Sequence, residues 1–150
     1  VSKLSYAKRN GITAESWSEE DLVYLAGFLD GEGCFQAYEK KMAISCTNTY
    51  KPTLDWIKQT FGGNISTKKS REDRPSYKNQ YEWAICTNDA KELLSRLIPF
   101  LKEKQNQAVL LFTIIGMPKQ INKRHPYYKE ITEEKMRLRQ ILKDMKYVSY

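Results

Sequence analysis

The stretch YLAGFLDGEG, Tyr24 to Gly33, constrains this chain more than any other. Its first half reads as helix, with Gly27 and Gly31 four apart and Ala26 beside them. Its end is an awkward one for a helix. Asp30 and Glu32 stand at the C-terminus, where partial negative charge makes a carboxylate unfavourable by about 0.3–1 kcal/mol. A helix that ends this way is one that expects a cation. Ser18, with Glu19, Glu20 and Asp21 behind it, supplies the N-cap hydroxyl and first-turn acids for a helix from about Glu19 to Asp30.

After Gly33 the apolar period switches to two. CFQAYE and MAISCTN flank Lys40-Lys41, which predicts a tight hairpin. Pro52 suits the first turn of a second helix that presents Leu54, Ile57 and Phe61 on one face and closes at the glycines of GGN. A second strand pair is expected near residues 64–71 and 77–86, around the polar loop EDRPS. Asn88 or Asp89 would cap a third helix that Pro99 interrupts, and a further helix would resume near Lys102 and run to Gly116. Thr132 would cap a C-terminal helix. The order α-β-β-α-β-β-α-α-α gives an α+β fold: a four-stranded, antiparallel sheet with helices on one face and an extra C-terminal helix. Residues 1–17 form a basic N-terminal arm, ordered or loose, ahead of a single domain at 18–150.

Composition sets further limits. The chain has 150 residues, 41% of them hydrophobic, enough for one real core. No apolar run approaches the roughly 20 residues that span a bilayer, so no membrane partner is expected. The three cysteines, Cys34, Cys46 and Cys86, lack a CxxC spacing and read as reduced core residues, not as zinc ligands. His125 is the only histidine, which argues against a histidine-based nuclease, a zinc hydrolase or a Ser-His triad. A net charge of +7 favours a polyanion, nucleic acid before membrane surface.

If Phe35, Ala37, Ile44, Cys46, Ile65, Trp83 and Ile85 point to the helices, the alternate positions face outward. Those are Gln36, Tyr38, Ser45, Thr47, Ser66, Lys68, Ser70 and Glu82, with Lys40, Lys69, Arg71 and Lys78 at turns and edges. Such a face is either simply solvated or a reader of base edges, since a major groove admits a β-ribbon. The small stripe on the first helix lets another helix approach closely, either within the domain or from a second copy. Metal-assisted phosphodiester hydrolysis needs several carboxylates around the reacting oxygens. One chain with one such helix end supplies too few; two chains crossing at Gly27 and Gly31 would bring two Glu32 side chains together.

LAGFLDGEG closely resembles the signature of the LAGLIDADG homing endonucleases. The Thr47-Asn48 pair, IPFLKEKQNQA at 98–108 and the intervening strand spacing resemble the single-motif, homodimeric members. The resemblance spans roughly residues 18–116 and implies an αββαββα fold that acts on double-stranded DNA. It implies that the motif helix, through Leu25, Ala26, Gly27, Leu29, Asp30 and Gly31, forms the dimer interface. Glu32 matches the acid that binds a divalent cation beside the scissile phosphate, with the Gly31 carbonyl as a further oxygen ligand. Asn48 matches a polar residue that organises solvent near the nucleophilic water, and Lys104 a basic residue near the cleaved phosphate. Mg²⁺ is the implied cofactor, with Ca²⁺ expected to support binding without cleavage. The hairpin from Cys34 to Asn48 turns more tightly than in some homodimeric relatives. The loop near Lys69–Lys78 and the Lys3–Arg9 arm are then expected to add phosphate contacts.

The leading expectation is a homodimeric, Mg²⁺-dependent endonuclease that cuts a long pseudo-palindromic site and leaves short 3′ overhangs. It would be encoded in a mobile intron or intein-like element and work inside the cell, with the DNA of its host compartment. The competing expectations are a maturase that binds its own intron RNA and a DNA-binding regulator with lost chemistry.

Overall fold

The structure is a computed structural model that describes residues 4–68, 79–118 and 121–146. Short helix α1 (Tyr6–Arg9) precedes the motif helix α2 (Glu19–Glu32), which leads straight into strands β1 (Gly33–Ala37) and β2 (Met42–Asn48). Helix α3 (Lys51–Phe61) connects to β3 (Asn64–Lys68) and β4 (Gln80–Cys86), followed by α4 (Thr87–Leu97), α5 (Gln105–Gly116) and α6 (Tyr128–Met145). The strands form one four-stranded sheet in the order β1-β2-β4-β3, every neighbouring pair antiparallel. Each hairpin therefore has one outer strand, and the inner strands β2 and β4 join them.

The alternation in sequence sorts the side chains as expected. Phe35, Ile44 and Ile85 lie in register across three strands, Cys46, Trp83 and Ile65 across the same sheet. Both rows join Leu25, Leu29, Leu54, Ile57, Phe61, Leu93, Leu94 and Leu97 in one core beneath the helices. Trp83, fully buried, donates its Nε1–H to the Gly62 carbonyl at 2.8 Å, so the one polar atom of that side chain is satisfied. Gly62 and Gly63 carry φ of 96° and 90°, the left-handed conformation that lets α3 stop and the chain turn into β3.

Several boundaries differ from the sequence expectation, each for a local reason. Helix α4 begins at Thr87, so neither Asn88 nor Asp89 is its cap; Asp89 sits in the first turn, where its charge suits the helix dipole. Helix α6 begins at Tyr128, one turn before Thr132, because the turn Asn122–Tyr128 feeds the helix directly through Tyr128 N–H to the His125 carbonyl. Helix α5 begins at Gln105 and not at Lys102, since the backbone at Lys102 and Lys104 bonds elsewhere.

The N-terminal segment from Leu4 onward packs on the helix layer, and Lys3 lies outside the described residues. Ala7 lies against Gly62, Lys58 sits 4.5 Å over the Tyr6 ring, and Trp17 donates to the Thr60 carbonyl. At the opposite edge α6 lies against α5 and the outer strand β1, anchored by buried Leu142.

Candidate DNA-binding face and metal site

The outer face of the sheet has a floor and a rim. Small residues make the floor: Ser45 pairs with Cys34 on one side and Ala84 on the other, and Ala43 lies next along β2. Ser45 is only 7% exposed. It was expected to reach DNA, but a short side chain on a central strand lies below the level of its longer neighbours. The rim is made by Gln36 and Tyr38 on the β1 side and by Thr47, Glu82 and Ser66, which stand in one cross-strand row. Lys68 Nζ lies 3.1 Å from a Glu82 carboxylate oxygen, a diagonal pair on this same face. Lys40 is exposed in the hairpin turn, where Tyr38 N–H bonds the Lys41 carbonyl at 2.8 Å. Lys69, Ser70, Arg71 and Lys78 lie outside the described residues.

Helix α6 adds side chains that the sequence reading missed. Arg139, Gln140, Lys143 and Lys146 line a groove of ≈ 630 Å³ together with Gln36 and Tyr38. They extend the basic rim beyond the sheet edge. Periodicity alone shows that α6 is amphipathic; only the docking of Leu142 shows which strand its cations flank.

The motif helix divides its residues between two faces. Leu22, Leu25, Ala26 and Leu29 face the core, the last three with no exposed surface at all. Leu25, Ala26 and Leu29 are therefore core residues of this chain, not an interface: the helical period that exposes Gly27 and Gly31 turns them inward. The exposed face carries Val23, Tyr24, Gly27 and Gly31. Beyond the backbone of its own helix, a Cβ placed on Gly27 or on Gly31 would meet no atom of the described residues within 4 Å. No contact inside the described domain therefore explains why these positions are glycine. Gly33 is the opposite case, for its Cβ would stand 2.6 Å from the Leu29 carbonyl oxygen.

The end of α2 answers the opening puzzle in part. Asp30, half-buried, turns its carboxylate back into its own chain and accepts from the backbone N–H groups of Lys102 at 2.8 Å and Lys104 at 3.0 Å. Lys104 in return places its ammonium on the carbonyls of Gly33 at 2.6 Å and Leu29 at 3.2 Å. A lysine on the last carbonyls of a helix opposes the dipole there. The side chain of Glu32, next to Gly33 and three residues after Leu29, is exposed and makes no hydrogen bond or ion pair among the described residues.

Glu32 and Glu82 both lie within electrostatic reach of Cys46. Burial pushes the Cys46 thiol up to about 12, and the two carboxylates add to it. Asn48 ends β2 beside Tyr81 and accepts the Tyr50 N–H on Oδ1 at 2.9 Å, forming the bend into α3. Among the described residues its amide NH₂ has no acceptor and can donate outward. Lys104 thus sits at the junction of α2 and β1 that carries Glu32, while Asn48 ends β2 two residues beyond Cys46, the cross-strand partner of Gly33.

The donors at this junction suit a hard divalent cation: a free carboxylate and the terminal carbonyl of Gly31, which has no donor within its helix. Among the described residues no group of three His, Cys, Asp or Glu side chains gathers in one place. A cation at Glu32 therefore needs oxygens from outside the described chain.

A family model for the LAGLIDADG-like domain matches residues 19–99. The DNA endonuclease I-CreI of Chlamydomonas reinhardtii is 34% identical over 108 residues, which cover 66% of this chain and 64% of that protein. The match thus spans less than two thirds of that relative's length. Among solved structures, the archaeal intron-encoded homing endonuclease I-Vdi141I bound to DNA superposes with a TM-score of 0.67 at 21% identity, covering 88% of this chain and 89% of that one. The homing endonuclease I-CvuI, bound to the I-CreI target in the presence of magnesium, superposes with a TM-score of 0.65 at 19% identity, over 85% and 82% of the two chains. I-CvuI with its own target and calcium gives a TM-score of 0.65 at 20% identity, over 84% and 82%. With the motif helix, the strand order and the matched span in agreement, the chain belongs to the LAGLIDADG homing endonuclease family.

Proposed function

We propose that this protein is a site-specific DNA endonuclease that works as a homodimer with Mg²⁺. The observation that carries the reading is the Glu32 carboxylate, without a partner among the described residues, at the end of a helix whose outward glycines face open space there. Two copies related by a two-fold axis along α2 would bury Gly27 and Gly31 and bring the two Glu32 side chains together. Glu32 and the Gly31 carbonyl would hold the cation, with the remaining oxygens from the partner and from a DNA phosphate. The bound cation would supply Lewis acidity at the phosphate and a more acidic water.

The chain's own residues do the rest. The outer sheet face, with Gln36, Tyr38, Thr47, Ser66 and Glu82, lies against base edges, while Lys40, Lys68 and the cations of α6 meet phosphates. Asn48 donates its free amide to water near the attacked phosphorus. Lys104 adds positive charge beside Glu32.

The test is Glu32→Gln, which keeps the shape and removes the charge. Binding to a duplex made by joining the two sequences that flank the reading frame is measured by gel shift, and nicking and linearisation on a plasmid bearing the same site. With Mg²⁺ the unmodified protein should bind and cut, and with Ca²⁺ bind only. Glu32→Gln should bind at least as well, since two negative charges per dimer leave the phosphates, and should not cut. Full Mg²⁺-dependent cutting by Glu32→Gln would refute the assignment. Binding without cutting by the unmodified protein would point to a regulator, and tighter binding to intron RNA than to DNA to a maturase.

A further inference from the structure

We propose that Asp30 and Lys104 are positioning residues which together clamp the backbone on either side of Glu32; the proposal rests on Glu32 being the cation ligand. Two segments more than 70 residues apart exchange side-chain-to-backbone hydrogen bonds in both directions. Asp30 of the motif helix takes the Lys102 and Lys104 N–H groups. Lys104 of the second segment takes the Leu29 and Gly33 carbonyls. Each side chain carries a full charge and each partner is main chain, the pairing that gives short, strong hydrogen bonds.

The arrangement matters because of what lies between its anchor points. Glu32 has glycine on both sides, and glycine restrains the backbone least. Its own carboxylate is tied to nothing among the described residues, so its position is set only through the main chain. Leu29 anchors the helical side and Gly33 the strand side, and one ammonium bridges the two. The close packing of Gly33 on Leu29 brings these carbonyls together, and a Cβ there would force them apart.

Asp30 in turn fixes the stem of that ammonium. With Lys102 and Lys104 N–H both on one carboxylate, the turn before α5 cannot rotate without losing two charge-assisted bonds. The two halves are thus mutually dependent. Removing either should loosen the other and blur the place of the Glu32 oxygens. Lys104 thus helps to place Glu32 in addition to the charge it lends the site. Loss of the clamp through Asp30, whose carboxylate meets only main-chain N–H groups of its own chain, should appear as cation affinity, with the rate at saturating cation preserved.

The experiment uses the full chain with Asp30→Asn and Lys104→Met, and Glu32→Gln as the blank. Amide hydrogen exchange at Lys102 and Lys104 reads the clamp directly and needs no activity. Terbium luminescence on the DNA-bound protein reads the cation, and plasmid cleavage against Mg²⁺ concentration reads the midpoint and the saturated rate. Asp30→Asn should speed exchange at both amides. Both variants should raise the terbium and Mg²⁺ midpoints about tenfold, the range expected when groups that orient a metal ligand are lost. The saturated rate of Asp30→Asn should fall less than about threefold.

Unchanged exchange in Asp30→Asn would overturn the proposal. So would terbium and Mg²⁺ midpoints that stay unmoved in both variants. Should Asp30→Asn fail to fold, Lys104→Met tests the same clamp from its other side. Should the unmodified protein bind DNA and not cut, the cleavage reading falls, while exchange and terbium binding still decide the clamp.

Discussion

Gly27 and Gly33 stand six residues apart in one motif, and their substitution should have opposite consequences. Beyond the backbone of its own helix, a Cβ on Gly27 meets nothing among the described residues within 4 Å. Alanine there removes the entropic cost of glycine in a helix, so the isolated subunit should gain about 0.8–1 kcal/mol, or roughly 2–4 °C for a chain of this size. A Cβ on Gly33 meets the Leu29 carbonyl oxygen at 2.6 Å, Leu29 Cδ2 at 2.8 Å and Leu29 Cα at 2.9 Å. Backbone atoms cannot swing aside as a side-chain tip can, so Gly33→Ala should cost about 1–3 kcal/mol by overpacking. It should also pull the Gly33 carbonyl from Lys104. Gly27→Leu completes the set, filling the outward groove without touching the core. The assays are thermal melts at a dilution where subunits are separate, and sedimentation velocity at concentrations where they assemble. Gly27→Ala should melt higher and Gly33→Ala lower, and Gly27→Leu should remain folded yet sediment as a monomer. A Gly27→Leu protein that assembles as the unmodified protein does would refute the two-fold contact along α2. A Gly27→Ala protein that melts lower while monomeric would refute the open environment of that residue.

Two further outcomes can be checked. Replacing Gln36 or Tyr38 should change the preference at particular base pairs by about 1–3 kcal/mol. Replacing Lys40, Arg139 or Lys143 should weaken binding alike for all sequences and flatten its salt dependence; equal scaling by both kinds of change would show that the outer face does not read sequence. Cys46 gives a pH dependence, since its thiol is held neutral by burial, from the usual 9.0 up to about 12 in the folded chain. The unfolded chain releases that proton first, so the stability Cys46 contributes is whole below about pH 9 and is lost as the pH climbs toward 12. The stability gap between the unmodified protein and Cys46→Ala, measured by urea unfolding, should therefore narrow across that alkaline window.

The element order and the two faces of the sheet were legible because they follow from local rules. Alternation at 34–48 and 80–86 fixes which residues turn inward, and Ser18, Pro52 and the glycines at 62 and 63 mark helix ends by their own chemistry. What was not legible depended on neighbours distant in sequence. Leu25, Ala26 and Leu29 sit in the same motif as Gly27 and Gly31, and a resemblance assigns the motif as a block. Only the helix's orientation on the sheet separates core from open face. Ser45 alternates outward as expected, yet its depth depends on Cys34 and Ala84 across the strands. The cations of α6 flank the outer sheet face because Leu142 docks beside β1, a contact between segments about a hundred residues apart.

The helix that ends on two carboxylates thus resolves its charges one at a time. Asp30 spends its charge on main-chain N–H groups, and Lys104 spends its own on the carbonyls that make the helix end negative. Both operations use only the chain itself, and both would suffice to stabilise the end of α2 had Glu32 been neutral. Glu32 remains, exposed and unpaired, on a chain whose net charge of +7 draws it toward a polyanion. Against DNA a lone carboxylate repels the phosphates, and two of them on a dimer axis repel each other as well. Nothing in the described fold offsets that repulsion, and a divalent cation held between carboxylate and phosphate oxygens offsets both terms at once. The proposed metal site follows from this residual charge: it is the one interaction at the helix end that the chain leaves unfinished among its described residues.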